Sequence, residues 1–286
     1  MLAYVNGQYV PADAPALPVN DRSFLYGDGL FETIRITNGQ PFLWCEHIER
    51  LQRGAAFLRI PLTTTIKDLE FAARHLLTQN DCPEGVVRIH LSRGPSERGY
   101  SIASASTPTL VITTHKSLHC TPPTQGLKLI TSRVRVLADD PMTQHKTANR
   151  LPNILARLQA DEAGADEALI LNHRGEVAEA SAANVFCVCE GRVVTPPLSS
   201  GALAGTVRAF ILSIAFEQDL VAEERALSPD DLRAADAVFL TNSHWLVASA
   251  TSLDGEPLCA VCAGSVQPPH PIVARLRKAC EAACYS

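Results

Sequence analysis

Lysine is scarce in this 286-residue chain: Lys67, Lys116, Lys128, Lys146 and Lys278 carry it, and arginine supplies most of the positive charge. Lys146 stands in "PMTQHKTANRLPN", just ahead of the Asn149-Arg150 pair and a segment with helical spacing. An amine can add to a carbonyl to give a Schiff base, and desolvation lowers its pKa readily, two properties a guanidinium lacks. The plain alternative is a solvated charge near a helix start. Glu179 in "EVAEASAANVF" lies in a strand-like run, where the plain reading is a strand-edge surface acid. Arg50 in "HIERL" is either an i,i+4 partner of Glu46 or a fork for an anion. Gly205 in "LAGTVR" is a turn glycine, or the start of a helix that opens onto an anion.

The elements that must position these residues alternate. "AYVNGQYV" reads as strand-like, "PADAPALPVNDRS" as a loop, and "GLFETIRIT", the turn "NGQ" and "PFLW" as a hairpin. A helix is expected over about 46 to 58, with Ile48, Leu51, Ala55 and Leu58 on one face, and another over "TIKDLEFAARHLLTQ". "GVVRIHLSRG" and "TLVITTH" read as strands, and the Pro-rich "HCTPPTQG" at 119 to 126 reads as a linker. Domains of 1–120 and 121–286 follow, the second carrying Lys146. In it, "LKLITSRVRVLA" reads as strand, and Leu151, Ile154, Leu155 and Leu158 make an amphipathic helix stopped near Gly164. "EALILNH", "EVAEA", "NVFCVCE" and "AVFLTNS" are further strands, and "TVRAFILSIAFEQ" is a helix after the turn "TPPLSSGALAG". Alternating strands and helices argue for an α/β or α+β fold.

Composition excludes several functions. With 46% hydrophobic residues the chain can bury a sizeable core, and a net charge of -5 with no dense basic run argues against nucleic acid as a partner. The opening residues lack a basic stretch followed by an apolar one, and no segment reaches the ~20 apolar residues of a membrane span. Cytoplasmic residence and no membrane partner are therefore expected. Cys259 and Cys262 in "DGEPLCAVCAGSVQPP" could form half of a zinc site, but nine cysteines in all, with Cys187 and Cys189 in an apolar strand, favour reduced thiols and no metal.

Five segments carry a resemblance. "YGDGLFETIRI", "HIERL", "HKTANRL", "EVAEASAANVF" and "LAGTVR" occur in the order and at the spacings of the class IV (fold type IV) pyridoxal-phosphate enzymes, over most of the chain. That family includes branched-chain aminotransferases, D-amino acid aminotransferases and aminodeoxychorismate lyases. The resemblance implies a small N-terminal α/β domain, a larger barrel-like C-terminal domain, pyridoxal 5'-phosphate between them, a small-molecule substrate and a homodimer. It implies Lys146 as the cofactor lysine and proton carrier, and Glu179 as the acid on the pyridine nitrogen. Arg50, Gly205, Thr206 and Val207 would hold the phosphate, with Leu203 near the ring and Ser243 as a further phosphate ligand.

Within the family, "SRGPSERGYS" and the Asn149-Arg150 pair before Leu151 resemble the lyases, with Arg98 facing substrate carboxylates. The D-amino acid aminotransferases hold a carboxylate with a tyrosine, an arginine and a histidine, and the matching positions here are Phe31, Arg98 and Tyr100. Phe31 cannot donate a hydrogen bond, which weakens an amino acid trap. The expected activity is 4-amino-4-deoxychorismate cleavage, with a class IV aminotransferase as the alternative.

Overall fold

The computed structural model describes residues 1–14, 17–105, 107–116, 124–258 and 269–285. It has two compact units, Met1–Cys120 with His145–Asn149, and Thr121–Gln144 with Arg150–Ser286. Lys146, expected in the second domain, therefore groups with the first. Backbone pairing is the reason: the Phe31 N–H donates to the Lys146 carbonyl at 2.9 Å, and the Ala148 N–H donates to the Gly29 carbonyl at 2.8 Å. The linker residues 119–123 and the Cys259–Cys262 pair lie outside the described residues.

The first unit runs β1 (Leu2–Val5), β2 (Gln8–Pro11), α1 (Arg22–Tyr26), β3 (Gly29–Thr37), β4 (Gln40–Pro41), α2 (Trp44–Leu58), α3 (Ile66–Gln79), β5 (Gly85–Ser92) and β6 (Thr109–Lys116). Its described strands form one sheet in the order β2-β1-β6-β5-β3-β4. Both Asn-Gly turns take left-handed backbone, with Asn6 at φ 46° and Gly7 at 92°, and Asn38 at 52° and Gly39 at 72°. This is the geometry that tight hairpins favour. The loop expected up to Ser23 gives way at Arg22 to α1, a five-residue helix whose first turn is capped by the Asp21 carboxylate accepting from the Ser23 N–H.

Period-two burial then sorts the sheet's faces. Leu30, Ile34 and Ile36 of β3 and Val87, Ile89 and Leu91 of β5 pack against Ile48, Leu51, Leu69 and Leu76 of the helices. Phe31 and Thr33 therefore point to the opposite face, level with His90 and Arg88 in the antiparallel register.

The second unit runs β7 (Leu127–Val136), α4 (Leu151–Glu162), β8 (Glu167–Asn172), β9 (Val177–Ala180), β10 (Asn184–Cys189), β11 (Arg192–Thr195), α5 (Thr206–Glu217), β12 (Ala222–Glu224), α6 (Pro229–Ala234), β13 (Ala237–Asn242), β14 (Leu246–Leu253), β15 (Glu256–Pro257) and α7 (Pro271–Ala283). Its described sheet is mixed, β12-β11-β10-β13-β14-β7-β8-β9 with β15 on β14. The mixed α/β class read from the sequence holds.

α4 departs from the simplest reading of its pattern. Ala156 and Ala160 are its buried residues and pack on Ala168 and Ile170, while the large stripe Leu151, Ile154, Leu155 and Leu158 stays 44 to 63% exposed. Small residues let the helix lie close on β7 and β8, and the bulky stripe then projects outward. No helix among the described residues is long and apolar enough to cross a membrane.

Gly94 turns the chain out of β5 into the loop that carries Arg98. Its φ is 92°, and a Cβ there would lie 1.9 Å from the Thr107 carbonyl oxygen. Gly94→Ala combines a strained backbone with a backbone clash and should destabilise the first unit by about 2 kcal/mol or more. Urea unfolding measures it, and a midpoint equal to the parent's would contradict this account of the turn.

Candidate active site

In the first unit, β3 and the returning stretch 145–149 bring an amine onto an aromatic ring. The Lys146 Nζ sits 4.6 Å from the Phe31 ring centroid, and the Arg88 guanidinium carbon sits 4.0 Å from that centroid. Arg88 was not among the residues singled out from sequence. Burial pushes its pKa down, as it does that of His90, which the Arg88 charge lowers further while Asp21 opposes. The His90 Nε2 meets the Ser23 hydroxyl at 2.7 Å.

On the helix-covered side of the same strand stands a carboxylate in a core position. Glu32 and His47 are nearly fully buried, and Arg50 is 5% exposed. The Arg50 Nε and Nη2 donate to the two Glu32 oxygens at 2.8 and 2.5 Å, and the His47 Nδ1 meets Oε2 at 2.7 Å. Burial alone would raise the Glu32 pKa, but the charge and hydrogen bonds of Arg50, with help from His47, hold it down at about 2. Burial holds the His47 pKa below its usual value; Glu32 opposes this, and the Arg50 and Lys146 charges reinforce it. His47 and Arg50 are three apart on α2 and so share the face that meets Glu32.

In the second unit, β9 presents Glu179, which is buried. The Leu203 N–H donates to its Oε2 at 2.9 Å, and the Asn153 amide of α4 donates to its Oε1 at 3.4 Å and to the Ser181 carbonyl at 2.9 Å. Leu203 is held from its other end too, because the Asn184 amide donates to its carbonyl at 2.9 Å. Gly205 follows as the N-cap of α5, with no side chain capping the helix. A Cβ at Gly205 would lie 2.0 Å from the Asn184 Oδ1, so a side chain there would have to displace the amide that holds the Leu203 carbonyl. Thr206 and Val207 begin the helix, whose uncapped N-terminus suits an anion.

The remaining residues are more dispersed. Ser243 is half-buried in a turn after β13, in which the Asn242 Oδ1 accepts the His244 and Trp245 N–H groups at 2.9 and 2.8 Å. Arg150 is half-buried at the N-cap of α4. Arg98 and Tyr100 are exposed in this chain, on a loop that Arg22 grips by donating to the Gly99 and Ser101 carbonyls at 2.9 and 3.2 Å. Phe31 thus adjoins Lys146. Glu32, His47, Arg88, Asn153 and Asn184 were missed. A glutamate at an even, core-facing position of "GLFETIRI" was the available signal for Glu32.

A family model for amino-transferase class IV matches residues 29–253. The chain belongs to this family. A putative branched-chain-amino-acid aminotransferase of Methanocaldococcus jannaschii is 32% identical over 259 residues, covering 89% of this chain and 88% of that protein. A D-alanine aminotransferase of Staphylococcus aureus is 31% identical over 261 residues, covering 89% and 90%. The crystal structure of a putative 4-amino-4-deoxychorismate lyase from Legionella pneumophila superposes with a TM-score of 0.84 at 31% identity, covering 95% of this chain and 97% of that one.

Pyridoxal 5'-phosphate is the cofactor of this family, and the residues present fit it. The first unit offers an amine on an aromatic ring, and the second by itself offers a buried carboxylate that accepts from a backbone N–H and an amide, and a helix start with no side-chain cap.

The buried trio has a measurable consequence. Removing Glu32 leaves the Arg50 charge buried without its carboxylate, so Glu32→Ala should cost about 3 to 5 kcal/mol at neutral pH. The Glu32 pKa is depressed on folding, so its contribution is present above the unfolded value of about 4.3 and is lost as the pH falls toward about 2. Denaturant unfolding of parent and variant should show the gap closing across that window; a gap independent of pH would contradict the assignment.

Proposed function

We propose that this chain is a carbon-oxygen lyase that cleaves 4-amino-4-deoxychorismate to pyruvate and 4-aminobenzoate, a step of folate biosynthesis. The observation that carries the reading is Phe31, an apolar ring lying against the Lys146 amine and the Arg88 guanidinium. A ring without a donor at that position is poorly suited to a carboxylate next to the reacting carbon. The Arg88 guanidinium against the same ring suits a carboxylate farther away, and this substrate has two. The likeness to a putative lyase structure supports the same reading.

Bound pyridoxal phosphate supplies an electron sink at the substrate's amine-bearing carbon. Lys146 would hold the cofactor, and its free amine would take the proton from the substrate's amine-bearing carbon and give one to the enolpyruvyl group as the carbon-oxygen bond breaks. Glu179, fixed by Asn153 and the Leu203 N–H, keeps the pyridine nitrogen protonated. Arg50, Gly205, Thr206 and Val207 hold the phosphate, with Ser243 as a further ligand and Leu203 beside the ring. Arg88 and Arg98 bind the two substrate carboxylates, with Tyr100 and Arg150 beside them.

A class IV aminotransferase is the second reading, favoured by the branched-chain and D-alanine aminotransferases among the relatives. It requires a carboxylate site beside Phe31. Rates with aminodeoxychorismate, D-alanine and L-leucine, measured side by side, separate the two. The lyase reading expects 4-aminobenzoate, with amino acid half-reactions slower by about a hundredfold or more, the discrimination of a site missing a required donor. Arg88→Ala should lower lyase activity with little loss of cofactor. Fast transamination without 4-aminobenzoate would overturn the lyase reading.

The exposed stripe Leu151, Ile154, Leu155 and Leu158 supports a homodimer, since contiguous apolar patches mark interfaces. Light scattering should give twice the chain mass for the parent and a lower mass for Leu155→Glu; an unchanged mass in that variant would remove α4 from the interface.

A further inference from the structure

Glu167, the first residue of β8, is fully buried, yet nothing in the proposed chemistry uses it. Its Oε1 accepts the Ala168 N–H at 2.8 Å and is hydrogen-bonded to the Ser181 hydroxyl. Its Oε2 is buried and, among the described residues, has no hydrogen-bond partner. A buried carboxylate with one bare oxygen is a costly arrangement, whereas a carboxylic acid that places its proton between Oε1 and the Ser181 oxygen leaves Oε2 as a neutral carbonyl.

The position of Ser181 gives that arrangement a function. Its N–H donates to the Ala168 carbonyl at 2.9 Å, and its carbonyl accepts from the Asn153 amide at 2.9 Å. The same Asn153 amide reaches the Glu179 carboxylate. Glu167, Ser181, Asn153 and Glu179 thus form one chain of contacts from the start of β8 to the acid on β9.

We propose that Glu167 is a positioning residue, a neutral carboxyl that clamps Ser181 and so fixes the end of β9 and the Asn153 amide that orients Glu179. The proposal rests on Glu179 serving the pyridine nitrogen. With Glu167 uncharged, Glu179 is not opposed by a second buried anion behind it. The Glu167 pKa is pushed up mainly by burial, against the Ser181 and Ala168 hydrogen bonds and the charge of Arg157 on α4. Arg157 is itself paired with Asp161 at 2.9 Å and donates to the Asp166 carbonyl, so it is no close counter-ion for Glu167.

The test uses the cofactor-loaded protein and the variants Glu167→Gln, Glu167→Ala, Ser181→Ala and Glu179→Ala. Infrared difference spectra of parent against Glu167→Gln at neutral pH should contain the C=O stretch of a protonated carboxyl; a carboxylate doublet in its place overturns the proposal. Stability gives a second readout. The Glu167 pKa is raised on folding, so its favourable contribution is complete below the unfolded value of about 4.3 and declines as the pH rises. The parent should therefore lose stability relative to Glu167→Gln between mildly acidic and neutral pH, and a constant difference counts against it.

Pyridoxal phosphate dissociation constants complete the test. Ser181→Ala and Glu167→Ala should weaken binding about tenfold, the value of a lost buried hydrogen bond, while the neutral isostere Glu167→Gln stays within about threefold of the parent. If Glu167→Ala fails to fold, Ser181→Ala carries the same comparison. Glu179→Ala separates the two claims. Parent-like binding and turnover in that variant overturn the role of Glu179, whereas a defective Glu179→Ala with parent-like Ser181→Ala and Glu167→Ala overturns the clamp alone.

Discussion

Two backbone hydrogen bonds carry the arrangement of the first unit's chemistry. Through the Phe31 N–H to the Lys146 carbonyl and the Ala148 N–H to the Gly29 carbonyl, residues 146–148 pair with the start of β3. An amine on a flexible four-carbon stem is thereby set over a specific ring, and its backbone cannot shift without breaking bridge pairing at Leu30 and Thr147. The same strand carries Glu32 on its other face. Its ion pair with Arg50, joined by a hydrogen bond to His47, fixes α2 against β3 from within the core, and removing one partner of such a pair is far costlier than its net contribution implies.

The second unit holds a buried carboxylate of its own. Glu179 is oriented by an amide from α4 and by a backbone N–H from the turn before α5, so its position depends on elements far apart in sequence. Asn184 ties that turn to β10, and Gly205 permits the approach.

Local features were legible in the sequence. The Asn38-Gly39 turn, the helix ending at Leu58, the strands around "GVVRIHLS" and "NVFCVC" and the mixed α/β class all follow from short-range spacing, whereas the Asn6-Gly7 turn splits a stretch that reads as one strand. So do the family segments, because each is a contiguous motif. What escaped depends on pairing at a distance. Glu32 meets residues 15 and 18 positions later, and a carboxylate at a core position is intelligible only when its partners are known. Arg88 was hidden because an alternating strand pattern does not say what covers its second face. The stripe on α4 shows the same limit: periodicity marks an apolar face, but the tertiary choice of Ala156 and Ala160 for the sheet decides which face the chain itself buries.

The claim on which the functional account turns is that Lys146, among five lysines, is the residue that holds the cofactor. Borohydride reduction of the pyridoxal-phosphate-loaded protein, followed by proteolysis and tandem mass spectrometry, tests it directly. The account predicts the phosphopyridoxyl mass on Lys146 alone. Its appearance on Lys67, Lys116, Lys128 or Lys278 with an unmodified Lys146 would contradict it.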